Sequence, residues 1–308
     1  DTFTYHQVFE DDDAQDQPVT LEVDLDVYVL PGFKTPLLML KEQAEVAIDS
    51  GYGKILGGVV QNWSRTYVKR IMNFKVLVDD EFERYMSIYN NDRYISNISK
   101  RMRFFRRKEQ PVDLDKMTPE ELAAVSEPGL LYYLVALGNT FEINTYRLEE
   151  KVMPRYLEKV HSNFHPAIRE AFEDTAAPST ELNAQVIRTI IDIIVNDLYP
   201  ALSRVFTKEW YQDRDGDIIR LVVDTIHEYM SDIRGTLSYD MYLCTFAILL
   251  DSFIASYIRI GIQNVLQGSA SKIDPASTKR HGFAEAIGRD VQYLYVHLEE
   301  LFTRRDKA

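Results

Sequence analysis

The 308 residues carry a net charge of −13, one cysteine and 45% hydrophobic residues, enough apolar content for one large domain or two helical bundles with a real core. A single cysteine, Cys244, excludes a disulfide framework within the chain and fits a reducing compartment. The chain opens at Asp1 with no cationic leader, and no unbroken run of about 18 apolar residues occurs, so it is read as a soluble fragment or processed chain.

The acidity is concentrated at one end. Residues 1–33 hold nine acids and no Lys or Arg, which leaves only −4 for the other 275 residues. Such a near-neutral body offers no overall footprint for nucleic acid. Behind the acidic cluster Glu10–Asp16, Val19, Leu21, Val23, Leu25, Val27 and Val29 alternate with polar residues and Tyr28, the period of a strand. No second alternating run follows. A lone strand must lie on the helices as an extended arm or find another strand to pair with. Pro31-Gly32 ends the run, and residues 1–34 are expected to form an acidic extended arm.

From Thr35 onward the period becomes helical. Leu56, Val60, Trp63, Tyr67, Ile71, Phe74, Val78, Phe82 and Tyr85 form one apolar stripe. After a polar connection, Lys108–Thr118, Thr118-Pro119 reads as a cap and first-turn proline opening a short helix. A second stripe runs from Leu130 through Phe141, Leu148 and Tyr156 to Phe164. Pro154 inside it predicts a kink or break. Pro166 and Pro178 bracket a short helical piece, and Ala176–Ser179 is expected to divide a first bundle, 35–177, from a second, 178–308. Beyond it come Leu182–Val205 with a kink at Pro200, Ile219–Ile233, Tyr242–Ile260, a small-polar loop over Gly268–Ser277, and a last stripe of Phe283, Ile287, Val291, Leu294, Leu298 and Leu301. Long helices with single stripes and short turns predict an all-α fold, an elongated rod of stacked antiparallel bundles. No fixed-period repeat points to a solenoid of identical units.

No constellation in the sequence points to catalysis. His161 and His165 have a zinc-compatible spacing, but no Glu stands beside the first and Pro166 follows the second, so a structural role at a helix end is expected. Asp213-Arg214-Asp215-Gly216-Asp217 departs from a calcium loop in the position of its glycine and reads as a turn whose acids cap the next helix. Gly51, Gly53, Gly57 and Gly58 lack the Lys-Ser/Thr of a phosphate loop, and Cys244, in an apolar helix, is expected to be buried and inert. The expectation is therefore no enzyme, no metal and no cofactor. One charged run stands out: Lys100, Arg101, Arg103, Arg106, Arg107 and Lys108 interleaved with Met102, Phe104 and Phe105. It suits an anionic membrane surface, an acidic patch on a partner, or an amphipathic helix whose cationic stems cover apolar surface.

Three groups of residues carry a resemblance. They are Tyr132-Tyr133-Leu134-Val135-Ala136-Leu137-Gly138-Asn139-Thr140-Phe141 with Tyr146-Arg147-Leu148; Leu202–Trp210 with Val223–Ile226 and Tyr229–Asp232; and Ile287–Val291 leading to Leu301-Phe302. Together they resemble the C-terminal part of the Sec-six family of exocyst subunits, over roughly residues 36–305. The resemblance implies a helical-bundle scaffold of a multisubunit tethering complex. It implies cytoplasmic location, peripheral at plasma-membrane sites of secretion. Implied partners are the other exocyst subunits and a plasma-membrane t-SNARE with its regulators, with no catalytic residues to carry over. The alternating residues 19–29 have no match in the family pattern, and its N-terminal coiled-coil region is not represented in these residues.

Overall fold

The computed structural model describes residues 3–4, 27–88, 129–266 and 281–302. The cluster Glu10–Asp16, the alternating positions before Val27, the basic run Lys100–Lys108, the short helix expected at Thr118 and the loop Gly268–Ser277 lie outside the described residues. From Pro31 on, the described chain is helices and the turns between them, so the fold is all-α. Two-residue strands, β1 (Phe3–Thr4) and β2 (Tyr28–Val29), pair antiparallel with Phe3 opposite Val29. The lone strand thus finds a partner within its own chain.

The helices are α1 (Lys34–Asp49), α2 (Gly53–Ile88), α3 (Gly129–Arg147), α4 (Met153–Glu158), α5 (His165–Leu202), α6 (Lys208–Gln212), α7 (Asp217–Arg234), α8 (Tyr239–Leu266) and α9 (His281–Leu298). They fall into two compact units. The first takes the described residues up to Ile88, then Gly129–Thr189 and Gly235–Met241; the second takes Ile190–Arg234 and the described residues from Tyr242 on.

In the first unit α1 packs on α2. The α2 stripe turns inward as its spacing dictates: Leu56, Val60, Trp63, Tyr67, Ile71, Val78 and Phe82 are buried. Phe33, Trp63, Tyr67, Phe141 and Phe172 join in one aromatic cluster, with Phe33 edge-on to Phe141 at 4.7 Å. The end of the arm is part of this core. Val27 and Val29 are buried with Ile143, and Leu37 packs against them, while Tyr28 between them is half-exposed. Over its described end, Val27–Val29, the alternation read from the sequence therefore lies with one face on α3.

Three prolines of these helices fall into two kinds. Ahead of Pro154 the helix widens into a π turn over Leu148–Val152, and α4 resumes with Pro154 in its first turn, where a backbone donor is not required. Pro178 and Pro200, in contrast, lie inside the uninterrupted α5. The short helical piece expected between Pro166 and Pro178 is corrected, since the helix runs on through Pro178 to Leu202. Around Pro178 the side chains of Thr175, Ser179 and Thr180 donate to the carbonyls of Phe172, Thr175 and Ala176 at 2.7–3.0 Å. Burial of Leu182, Val186, Ile190 and Ile194 holds the helix together against the roughly 3 kcal/mol that an interior proline costs.

In the second unit α7 presents Ile219, Val222, Val223, Ile226, Met230 and Ile233 to the core, every position that the stripe predicted. It packs against α9. Of α8, Tyr242, Phe246, Leu249, Phe253 and Ile260 are buried. Phe206, between α5 and α6, adopts φ 60°, a left-handed conformation that bulky side chains avoid. Its ring is caged by Trp210, Tyr257 and Phe283, with centroids 4.9–5.5 Å away. Gly261 makes room for it, since a Cβ there would stand 2.5 Å from the ring.

Candidate functional site

Two buried polar side chains organise the units, one in each. In the first, Asn139 of α3 is fully buried and uses its whole amide: Nδ2 donates to Tyr28 O at 2.8 Å and Thr236 O at 2.7 Å, and Oδ1 accepts from Ser238 N at 2.8 Å. Tyr28 N donates to Thr236 O at 3.2 Å, and Leu30 N donates to Thr140 Oγ1 at 2.8 Å. The arm and the turn before α8 are thereby stitched to α3. Gly138 lets Met241 come this close, because a Cβ would meet its Cε at 2.6 Å.

Beside this latch Ser238 Oγ donates to Glu142 Oε2. Burial pushes the Glu142 carboxyl above its usual range; the Ser238 hydroxyl opposes that shift and Asp240 adds to it. A carboxyl with a raised native pKa favours folding below its unfolded value of about 4.3, and this contribution is lost as pH rises through the native value. Glu142→Gln, whose amide oxygen still accepts from Ser238, is therefore expected to raise the thermal midpoint slightly at pH 7. Thermal unfolding at pH 7 and pH 4 should show the gain shrinking at the lower pH; an equal gain at both would remove Glu142 as its source.

In the second unit the hub is Asp290 of α9, 1% exposed. Its Oδ2 accepts from Trp210 Nε1 and from Tyr257 OH, both at 2.8 Å, and its Oδ1 from Arg289 Nη2 at 2.9 Å. Arg289 Nη1 also donates to Asp213 O. Burial pushes the Tyr257 hydroxyl well above its ordinary range and the neighbouring Asp290 reinforces this, so it remains a donor. Asp213 in turn caps α7, its two carboxylate oxygens accepting from Asp217 N and Ile218 N at 2.9 Å. Burial acts to raise the Asp213 carboxyl, but those backbone donors and Arg289 outweigh it and hold it low.

The residues singled out in the sequence are engaged in the fold or lie elsewhere. Of the acids in 213–217, which the sequence offered together as caps, Asp213 caps α7. His161 Nδ1 accepts from Asn163 N at 3.3 Å, and His165 Nε2 meets Val160 O at 3.2 Å, each ring spent on local backbone. Cys244 is exposed, which corrects the expectation of a buried thiol; on that turn Thr245 and Phe246 face inward instead. Helix α8 also stands out by its composition. By length and composition it is apolar enough to cross a membrane, a test that core helices of other proteins also pass. Asp240, Asp251 and Arg259 interrupt its apolar run without lowering its mean hydropathy far, so a search for unbroken runs passes over it. Lys100, Arg101, Arg103, Arg106, Arg107 and Lys108 lie outside the described residues.

Comparison with known proteins fits this architecture. The family model for the exocyst complex component Sec6 matches residues 5–308. The chain belongs to the Sec6 family. Exocyst complex component SEC6 of Saccharomyces cerevisiae is 25% identical over 266 residues, 86% of this chain and 29% of the relative. Its counterpart in Schizosaccharomyces pombe is 30% identical over 105 residues, 34% of this chain and 13% of that protein. This Sec6-family chain thus spans less than a third of the curated relatives it matches. The crystal structure of the C-terminal domain of the exocyst subunit Sec6p superposes with a TM-score of 0.69 at 21% identity, over 95% of this chain and 64% of that one, a likeness of fold.

Proposed function

We infer that the chain is part of a non-catalytic exocyst scaffold that binds sibling subunits and SNARE machinery, and so tethers secretory vesicles at the plasma membrane from the cytoplasmic side. The family match along residues 5–308 carries the reading. The polar chemistry is consistent with it: the best-connected buried groups, Asn139 and Asp290, hold chain segments to one another. Affinity purification of the full polypeptide from its own cells, followed by mass spectrometry, is expected to recover the other exocyst subunits and a plasma-membrane t-SNARE. Their absence would defeat the reading. The six cations between Lys100 and Lys108 are the proposed contact for anionic lipid, since Met102, Phe104 and Phe105 interleave them. Arg103, Arg106 and Arg107 changed together to Glu should abolish co-sedimentation with phosphatidylserine vesicles while leaving subunit recovery intact; unchanged sedimentation would remove that contact.

A further inference from the structure

Helix α8 is apolar on the side away from its core as well as on the side towards it. Ile254, Ile258, Ile262 and Leu266 follow at four-residue steps and are exposed, Ile258 at 50% and Leu266 at 80%, with Ile248 exposed a turn and a half before them. From Ile248 to Leu266, Asp251 is the one charged residue among the exposed positions of this helix. The contrast with α7 in the same unit is direct: its inner face is equally apolar, yet its outward side carries Arg220, Asp224, Glu228 and Asp232. Solvated helices normally keep a charged outer face, and a helix that is apolar all round is ordinarily covered.

The neighbouring α9 repeats the anomaly. Its apolar spacing predicts Val291 in the core, but Val291 is 58% exposed and Asp290 takes the inward place. Residues four apart on a helix form the ridge that a second helix receives in its groove, so the geometry of Ile254–Leu266 fits an α-helix. The solved Sec6p domain supplies a source. It shares this fold over 95% of the present chain, yet only 64% of its own length is matched, so the family fold includes chain with no counterpart in these 308 residues.

We propose that the Ile254–Leu266 ridge is an internal seam of the family's C-terminal domain, covered by an apolar-faced helix of the same polypeptide drawn from that unmatched part. The seam holds whether or not the tethering reading stands. Its test uses a thiol placed on the ridge, Ile258→Cys in a Cys244→Ser background, with Ile262→Cys as a second position. Maleimide labelling of the ridge peptide, followed by mass spectrometry, is compared between the 308-residue chain and the full polypeptide as its cells make it. Labelling at the rate of a free thiol in the 308-residue chain, and at least about tenfold more slowly in the full polypeptide, is the expected result. Equal rates in both would overturn the seam. So would a rate in the 308-residue chain that falls as protein concentration rises, which assigns the ridge to a second copy, or protection already complete in that chain.

Discussion

Asp290→Ala is expected to cost the second unit about 4 kcal/mol. Three buried or half-buried donors, Trp210 Nε1, Tyr257 OH and Arg289 Nη2, lose their acceptor at once. Each buried group left unsatisfied costs about 1–3 kcal/mol, and breaking a buried ion pair from one side about 3–5 kcal/mol. The loss spreads along the chain, because Arg289 also holds the carbonyl of Asp213, whose carboxyl caps α7. Asp290→Asn keeps an oxygen acceptor and should lose roughly half as much, again on the scale of single hydrogen bonds. Urea unfolding read by tryptophan fluorescence is well suited, since Trp210 and Trp63 are the two tryptophans and fall in different units. A loss for Asp290→Ala of under about 1 kcal/mol, the scale of one ordinary hydrogen bond, would mean the hub is not a determinant of stability.

Asn139→Ala is expected to release the arm. The substitution strips partners from Tyr28 O, Thr236 O and Ser238 N, and at the usual cost of unsatisfied buried groups the total is about 3 kcal/mol. The backbone amides at Tyr28 and Ser238, which adjoin the lost bonds, should exchange with solvent much faster while those of α2 stay protected. Hydrogen exchange with mass spectrometry can separate the two regions. Uniform acceleration across the unit, or none at Tyr28, would count against a local latch. Val27 and Val29 should retain some of their burial against Ile143 and Leu37, which limits how far the arm departs.

How much of this was legible in the sequence follows from which force dictates each feature. Burial of one helix face imposes a 3.6-residue period, and the stripes of α2 and α7 could be read directly for that reason. Pro178 misled because local propensity argues for a break, while packing on both sides of the proline and three hydroxyl side chains sustain the helix. Cys244 misled because α8 is apolar on more than one side, so its sequence does not say which face turns in. The same ambiguity hid Asp290 behind the more plausible core residue Val291. Neither hub has a periodic signature. Asn139, Trp210 and Asp290 nevertheless all fall inside the stretches that carried the family resemblance, where their bonds to distant segments give those residues a physical reason to be there.

The short stretch Gly235–Met241 returns to the first unit between two helices that belong mainly to the second. Asn139 reaches across 111 residues to Tyr28 and across 97 to Thr236. On a ribosome, the first unit therefore cannot complete its interior until the chain has emerged past Met241, although most of its helices are available long before. Closing such distant segments is slow, and apolar surface waits uncovered meanwhile. The nascent polypeptide thus has an extended interval in which a chaperone, or a co-translationally recruited companion, would find the helices of the first unit still unfinished.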